Sequence, residues 1–260
     1  MTIPEIIARL AAELALFAGI GFLIFALNDL LVDLIYFGRR MWRAIAVHSR
    51  FPRAYADRLE ASERPGMMAV FIPAWDASAV IAAMLKATIA RFDHDDYRLF
   101  VGYYRNDPAT AAAIAWVADP RVEAVEIPAD GPTTKADCLN HLYDALIAFE
   151  TRTGKCAKAV VLHDAEDVVH RYELRIFDGL IGRAAVIQLP VIPLVDPASR
   201  WIAGHYCDEF AEAHIKELVV REAVGAAIPL AGVGCAIARK PLAMLAAQHE
   251  GRPFAGKSLT

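Results

Sequence analysis

Cysteine is scarce in this 260-residue chain: Cys138, Cys156, Cys207 and Cys235 stand far apart, with no C-x-x-C pair among them. That spacing excludes a zinc ribbon or a paired redox motif and leaves reduced thiols in a reducing, cytosolic setting. A basic block is also missing after the opening segment. With a net charge of -4 and an isoelectric point near 6.1, the chain lacks the electrostatic footprint of a nucleic-acid binder. Internal repeats and low-complexity tracts are absent, so the span after residue 65 reads as one domain.

What is abundant is apolar sequence. Hydrophobic residues make up 57% and the mean hydropathy is +0.34, an excess concentrated at the front. Leu14 to Leu27 (LALFAGIGFLIFAL) carries no charge, and tolerating Glu13 extends the run back to Leu10. That approaches the roughly 20 residues that cross a bilayer. Asn28, Asp29 and Asp33 interrupt the continuation, which keeps a buried or re-entrant helix open as the alternative. A secretory signal fits less well, because only Arg9 precedes the run and no polar mature start follows. Arg39, Arg40 and Arg43 come next, with Tyr36 and Trp42 as interfacial rings, and the positive-inside rule then places everything after residue 38 in the cytoplasm. The expected organisation is a membrane anchor with a basic flank over 1–43, a juxtamembrane linker over 44–65 and an α/β domain over 66–260.

In that last region short β-type runs alternate with helical ones. Met67 to Ile72, Arg98 to Tyr104, Val122 to Ile127 and Ala159 to Leu162 read as strands. Between them Val80, Ile81, Met84, Leu85, Thr88 and Ile89 recur at helical spacing, Pro108 to Val117 is alanine-rich, and Lys135 to Glu150 places leucines on one face. Glu173 to Leu180 and Ala203 to Val224 read as further helices, with Val186 to Leu194 as a proline-broken strand. The alternation predicts a mostly parallel, Rossmann-like sheet covered by helices on both faces. Ligands of such sheets sit beyond the carboxyl ends of the strands, which selects the loops beginning at Pro73, Arg105, Pro128 and Asp164.

The most telling of these is His163-Asp164-Ala165-Glu166-Asp167. Two carboxylates one residue apart at a strand end can hold a hard divalent cation, and such a cation neutralises a diphosphate leaving group. Taken alone, an acidic triplet equally suits a solvated helix start, where carboxylates meet the dipole. His163, His170, His205 and His214 follow no zinc spacing, so a metal-dependent phosphohydrolase is the weaker reading.

Together, Pro73-Ala74-Trp75-Asp76, Lys135-Ala136-Asp137-Cys138-Leu139-Asn140, the acidic run and Gly232-Val233-Gly234-Cys235 resemble the motifs of family 2 glycosyltransferases with a GT-A fold. The opening Asn-Asp-Leu-Leu-Val-Asp run and Ala-Gly-Val-Gly-Cys-Ala look like the membrane glycosyltransferases of the phage-adsorption protein B type. The resemblance implies an inverting transferase that takes a UDP-sugar donor, with Mg²⁺ or Mn²⁺, and passes the sugar to a glycan at the bacterial inner membrane alongside glycan-secretion partners. It places Asp164 and Glu166 at the metal-binding Asp-x-Asp, with Asp167 as the substitute if the register shifts by one. Pro73, Ala74 and Asp76 match the nucleotide-contacting loop, with Asp76 where the family has Asn. Asp107 stands for the aspartate that reads the uracil edge. Lys135 and Asp137 match the helix start that meets the nucleotide, although Asp137 equally suits a first-turn residue facing the helix dipole. Gly232 and Gly234 match the acceptor-side loop. Gln188 receives no role.

The family's Thr-Glu-Asp motif would begin where the chain stops, at Gly256 to Thr260, so the general base is expected beyond Thr260. Asp196, Asp208 or Glu209 are the alternatives within the chain. A different class of function stays open: a non-catalytic nucleotide-binding or scaffold module of a membrane glycan-assembly complex.

Overall fold

The computed structural model describes residues 2–254, which divide into two compact units, 2–53 with 192–229 and 54–191 with 230–254. The larger unit holds a six-stranded sheet. Its strands are β1 (Met67–Pro73), β2 (Tyr97–Tyr104), β3 (Val122–Ile127), β4 (Ala157–Leu162), β5 (Val186–Gln188) and β6 (Cys235–Ala238), in the order β3-β2-β1-β4-β6-β5. The first four pair in parallel, while β6 runs antiparallel to β4 and β5 antiparallel to β6.

The continuous apolar run of β1 follows from its central place. Met68, Val70 and Ile72 enter a core closed by α2 (Ile81–Arg91), α3 (Pro108–Ala115) and α5 (Glu173–Leu180). Met67, Ala69 and Phe71 enter the opposite core, under α4 (Lys135–Thr153) and α8 (Arg239–Gln248). A strand buried on both faces has no polar side to show, which is why it does not alternate. Burying a side chain the size of Phe71, which is 0% exposed, contributes about 1.5–3 kcal/mol.

Helix α4 starts where Thr134 accepts a hydrogen bond from the Asp137 amide at 3.1 Å and ends at Gly154, whose φ of 69° suits glycine. It runs one turn beyond Glu150, until that cap. The expected strand over Val186 to Leu194 forms a ladder only as far as Gln188, because Pro190 and Pro193 have no N–H to continue it. The Gly-x-Gly segment, legible only as a loop, leads into β6 and the further helix α8.

In the smaller unit, α1 (Ile3–Trp42) begins at a capping box between Thr2 and Glu5 and contains no buried residue. Phe17 is 79% exposed, and among the described residues this helix is long and apolar enough to cross a membrane. A π-helical turn over Arg43–Val47 follows it. Helix α6 (Arg200–Ala211), a π-helical turn over Glu212–Glu217 and α7 (Leu218–Ala223) form one run. Residues 192–229 group with α1 in this unit. Lys216 bonds Asp33 at 2.5 Å and Arg39 donates to the Ala223 carbonyl at 3.5 Å within this unit.

Candidate functional site

Beyond the carboxyl ends of β1 and β4 lies an open cavity of about 420 Å³, lined by Pro73, Ala74, Trp75, Asp76, Tyr104, Lys135, Cys138, Asp164 and Glu166, among others. The parallel ladder explains the convergence: β1 and β4 are direct neighbours, so the loops after Ile72 and Leu162 emerge side by side.

The loop after β1 turns sharply at Asp76, whose φ of 49° is a left-handed value that aspartate tolerates better than most residues. Its amide donates to Asp107 Oδ2 at 2.8 Å, and the Ala77 amide donates to Thr110 Oγ1 at 3.0 Å. Asp107 also caps α3, accepting from the Thr110 amide at 3.1 Å. Burial pushes its pKa up, but the hydrogen bonds from Thr110 and Asp76 outweigh that and leave it below the usual carboxylate value. Asp107, expected to read a base edge, is thus buried behind the loop with both oxygens engaged, and it does not line the cavity.

Trp75 meets Tyr104 edge to face, ring centroids 5.3 Å apart. The Tyr104 hydroxyl hydrogen-bonds Thr133 at 2.7 Å. Gly131 sits against both rings, since a Cβ there would come 2.5 Å from Trp75 and 2.6 Å from Tyr104. Asn106 holds Gly131 by two bonds, its amide nitrogen to the carbonyl at 3.0 Å and its oxygen from the N–H at 2.8 Å. Sequence reasoning gave no role to Trp75, Tyr104, Asn106 or Gly131; the visible hint was an aromatic residue at a strand-end loop.

Lys135, in the first turn of α4, pairs with Asp164 and donates to the Gly232 carbonyl at 3.2 Å. Asp164 and Glu166 both line the cavity. Asp137 lies instead on a separate cavity of about 450 Å³ beside Asn140, His249 and Arg252, 3.7 Å from the Arg252 guanidinium. One turn of helix sends consecutive residues to different faces, and Asp137 sits away from Lys135 for that reason.

Behind the turn, His163 is 3% exposed between two carboxylates. Its Nδ1 is 2.9 Å from Asp167 Oδ2; its Nε2 is 2.8 Å from Glu173 Oε1, an ion-pair contact without hydrogen-bond alignment. Burial presses the histidine pKa down, yet Asp167 and Glu173 together lift it to about 9. Asp167, despite its burial, is held below the usual carboxylate value by His163 and the Asp164 amide.

Gly232 and Gly234 have φ of 80° and 58°, values that glycine takes at little cost. Gln188 organises their loop: its amide nitrogen donates to the Val233 carbonyl at 2.9 Å and its oxygen accepts from the Ala231 amide at 2.9 Å. Gly234, just ahead of β6, donates to the Leu162 carbonyl at 2.9 Å and is not in the cavity lining. Cys138 and Cys235 are buried, which pushes their thiols up to about 12 and about 11, so neither supplies a thiolate nucleophile.

Among the described residues no group of three or more His, Cys, Asp or Glu side chains could hold a metal. Asp164 and Glu166 nonetheless fit Mg²⁺ or Mn²⁺ shared with a diphosphate, since such ions are held by one or two carboxylates plus phosphate oxygens. Asp164 is paired with the Lys135 ammonium, so a metal there would share that carboxylate. Asp196, Asp208 and Glu209 lie in the smaller unit; Asp196 accepts from the Ala198 amide at 2.9 Å, and the other two are exposed on α6. The expected motif start at Gly256 to Thr260 lies outside the described residues.

Residues 65–259 match the family model described as "Glycosyltransferase like family 2". The chain is 38% identical over 237 residues to bacteriophage adsorption protein B of Escherichia coli K12, covering 90% of this chain. Bacteriophage N4 adsorption protein B of E. coli O157:H7 matches to the same extent. The chain spans about a third of the length of these relatives, 32% of each. Among solved structures, the mannosyltransferase PcManGT of Pyrobaculum calidifontis is 17% identical with a TM-score of 0.48, covering 83% of this chain and 56% of that one. The glucosyl-3-phosphoglycerate synthase of Mycobacterium tuberculosis is 17% identical with a TM-score of 0.42, covering 74% and 64%.

Proposed function

The chain belongs to glycosyltransferase family 2, and from that premise we propose that it binds a UDP-sugar in the strand-end cavity and passes the sugar, with inversion, to a glycan at the bacterial inner membrane. The observation that carries this reading is the meeting of Asp164, Glu166 and Lys135 on one open cavity at the carboxyl end of a parallel sheet.

Lys135 places an ammonium where the diphosphate of the donor would lie, and charge-assisted bonds to phosphate oxygens suit it. Trp75, 39% exposed and braced by Tyr104, offers a ring face on which a nucleobase can stack, a contact typically worth about 1–3 kcal/mol. Asp164 and Glu166 would hold Mg²⁺ or Mn²⁺, which when bound neutralises charge on the departing diphosphate. Lys135 also grips the Gly232 carbonyl, so the loop assigned to the acceptor side touches the donor side directly. Helix α1 would anchor the domain, its last-turn Arg39 and Arg40 favouring a cytoplasmic catalytic face.

Thermal shift with UDP-glucose, UDP-N-acetylglucosamine and UDP-galactose, each with and without Mn²⁺, tests binding directly. Selective, metal-dependent stabilisation by one donor is the expected outcome, and no stabilisation by any of them overturns the proposal. A radiolabelled transfer assay in membranes then separates an enzyme from a scaffold module, which would bind the donor without acceptor-dependent turnover.

A further inference from the structure

We propose that Asp167, braced by His163 and Glu173, is a positioning residue that sets the turn presenting Asp164 and Glu166 to the donor, and is not itself a ligand. This role rests on the cavity being a metal and diphosphate site.

The backbone of His163 is still tied to the sheet, its N–H donating to the Phe71 carbonyl at 3.0 Å. The chain then turns away, and a single carboxylate closes that turn. Asp167 Oδ2 accepts from the Asp164 amide at 2.9 Å and meets His163 Nδ1 at 2.9 Å, while the Asp167 amide donates to the Asp164 carbonyl at 3.3 Å. From the far side Glu173, 4% exposed at the start of α5, reaches His163 Nε2. Removing the Asp167 carboxylate would leave the Asp164 amide and His163 Nδ1 without the acceptor they share.

The clamp joins the end of β4, the acidic turn and the first turn of α5. It leaves Asp164 and Glu166 facing the cavity and keeps Asp167 behind them, outside the lining. The sequence resemblance names Asp164 and Glu166 as the ligands and keeps Asp167 as the substitute should the register shift by one. The hydrogen bonds separate them: two address the donor and one orients the backbone that carries them. Groups that orient ligating residues in this way typically cost about 10–100-fold in metal affinity when removed.

The test uses the full chain in detergent, with Mn²⁺ titrated in the presence of UDP and free Mn²⁺ read by electron paramagnetic resonance. Asp167→Ala should weaken Mn²⁺ binding by about 10–100-fold. Asp167→Asn keeps an oxygen for the Asp164 amide and should recover most of that loss, whereas Asp164→Asn should not bind. Hydrogen exchange of the 162–168 stretch in metal-free protein should quicken in Asp167→Ala and stay near the parent rate in Asp167→Asn. An Asn variant as damaged as Asp164→Asn would make Asp167 a charge-bearing ligand and overturn the proposal, as would an Ala variant that binds and exchanges like the parent. If Asp167→Ala does not fold, Mn²⁺ binding by Asp167→Asn decides between the two roles. If the parent binds no Mn²⁺ with UDP, the donor-site reading fails, and the exchange comparison still decides whether Asp167 holds the turn.

Discussion

Lys135 and Asp164, 29 residues apart in sequence, form an ion pair that joins the start of α4 to the end of β4 across the mouth of the cavity. Both side chains are well exposed, at 40% and 39%, so the pair itself stabilises the fold by less than about 1 kcal/mol. Its larger meaning is electrostatic. The cation on Asp164 is the protein's own, and a donor complex bound as proposed would displace or share it.

Asp164→Asn is therefore expected to abolish metal-dependent UDP binding while shifting the unfolding midpoint little, because an amide cannot replace a carboxylate at a hard cation. Glu166→Gln should weaken binding in the same direction. Calorimetric titration with Mn²⁺ and UDP checks both, and parent-like binding by Asp164→Asn would remove the metal assignment.

Gly131→Ala forces a methyl to within 2.5 Å of the Trp75 ring and 2.6 Å of Tyr104, so the aromatic pair must give way. Overpacking of this kind costs about 1–3 kcal/mol. The expected signature is a lowered unfolding midpoint together with weaker UDP binding. Unchanged binding would show that Trp75 does not face the base.

Cysteine reactivity follows burial. Cys156 is exposed, whereas Cys138 and Cys235 are buried with thiols raised to about 12 and about 11. Iodoacetamide at about pH 8 should modify Cys156 first and leave Cys138 and Cys235 intact until the chain is denatured. Peptide mass mapping reads the order, and early labelling of Cys235 would contradict the packing of β6.

Asp119 and Arg121 give the fold a specific acid sensitivity. The guanidinium donates to both Asp119 oxygens, at 2.9 and 2.8 Å, and to the Tyr97 hydroxyl at 2.9 Å. These bonds hold the Asp119 pKa down at about 2. A depressed folded-state pKa stabilises the protein above the unfolded value of about 3.9 and ceases to do so as pH falls through about 2. After allowance for solvent screening the contribution is about 1 kcal/mol. Denaturant unfolding of parent and Asp119→Asn should differ by that amount at neutral pH and converge in acid; a pH-independent difference would assign the effect to packing.

Much of the architecture was legible in the chain. The apolar runs that became β1 and β2 could be read because a strand buried on both faces needs apolar residues throughout, and α4 because its leucines recur on one face. The extent of β5 was not, since a run such as VIQLPVIPL states that a segment is apolar without saying where its ladder ends. Pro190 set that limit through its missing N–H. The contact between α1 and the stretch around Lys216 was not legible either, because Asp33 and Lys216 meet across 183 residues of sequence.

Sequence alone determined which residues could do chemistry at the strand ends, because motif and strand lie next to each other along the chain. Asp164, Glu166 and Lys135 could be named for that reason, and so could the apolar helix that precedes the domain. Only the tertiary structure separates the neighbouring carboxylates by what they touch. Asp107 and Asp167 stand in strand-end turns like Asp164 and Glu166, yet Asp107 gives both oxygens to backbone amides and Asp167 gives one oxygen to the Asp164 amide and the His163 ring. For Asp107 the partner that only folding supplies is the Asp76 amide, 31 residues away, whereas Asp167 turns toward the neighbouring His163 and Asp164 amide because His163 is itself buried against Glu173 of α5, and neither burial nor a distant amide can be read from local spacing.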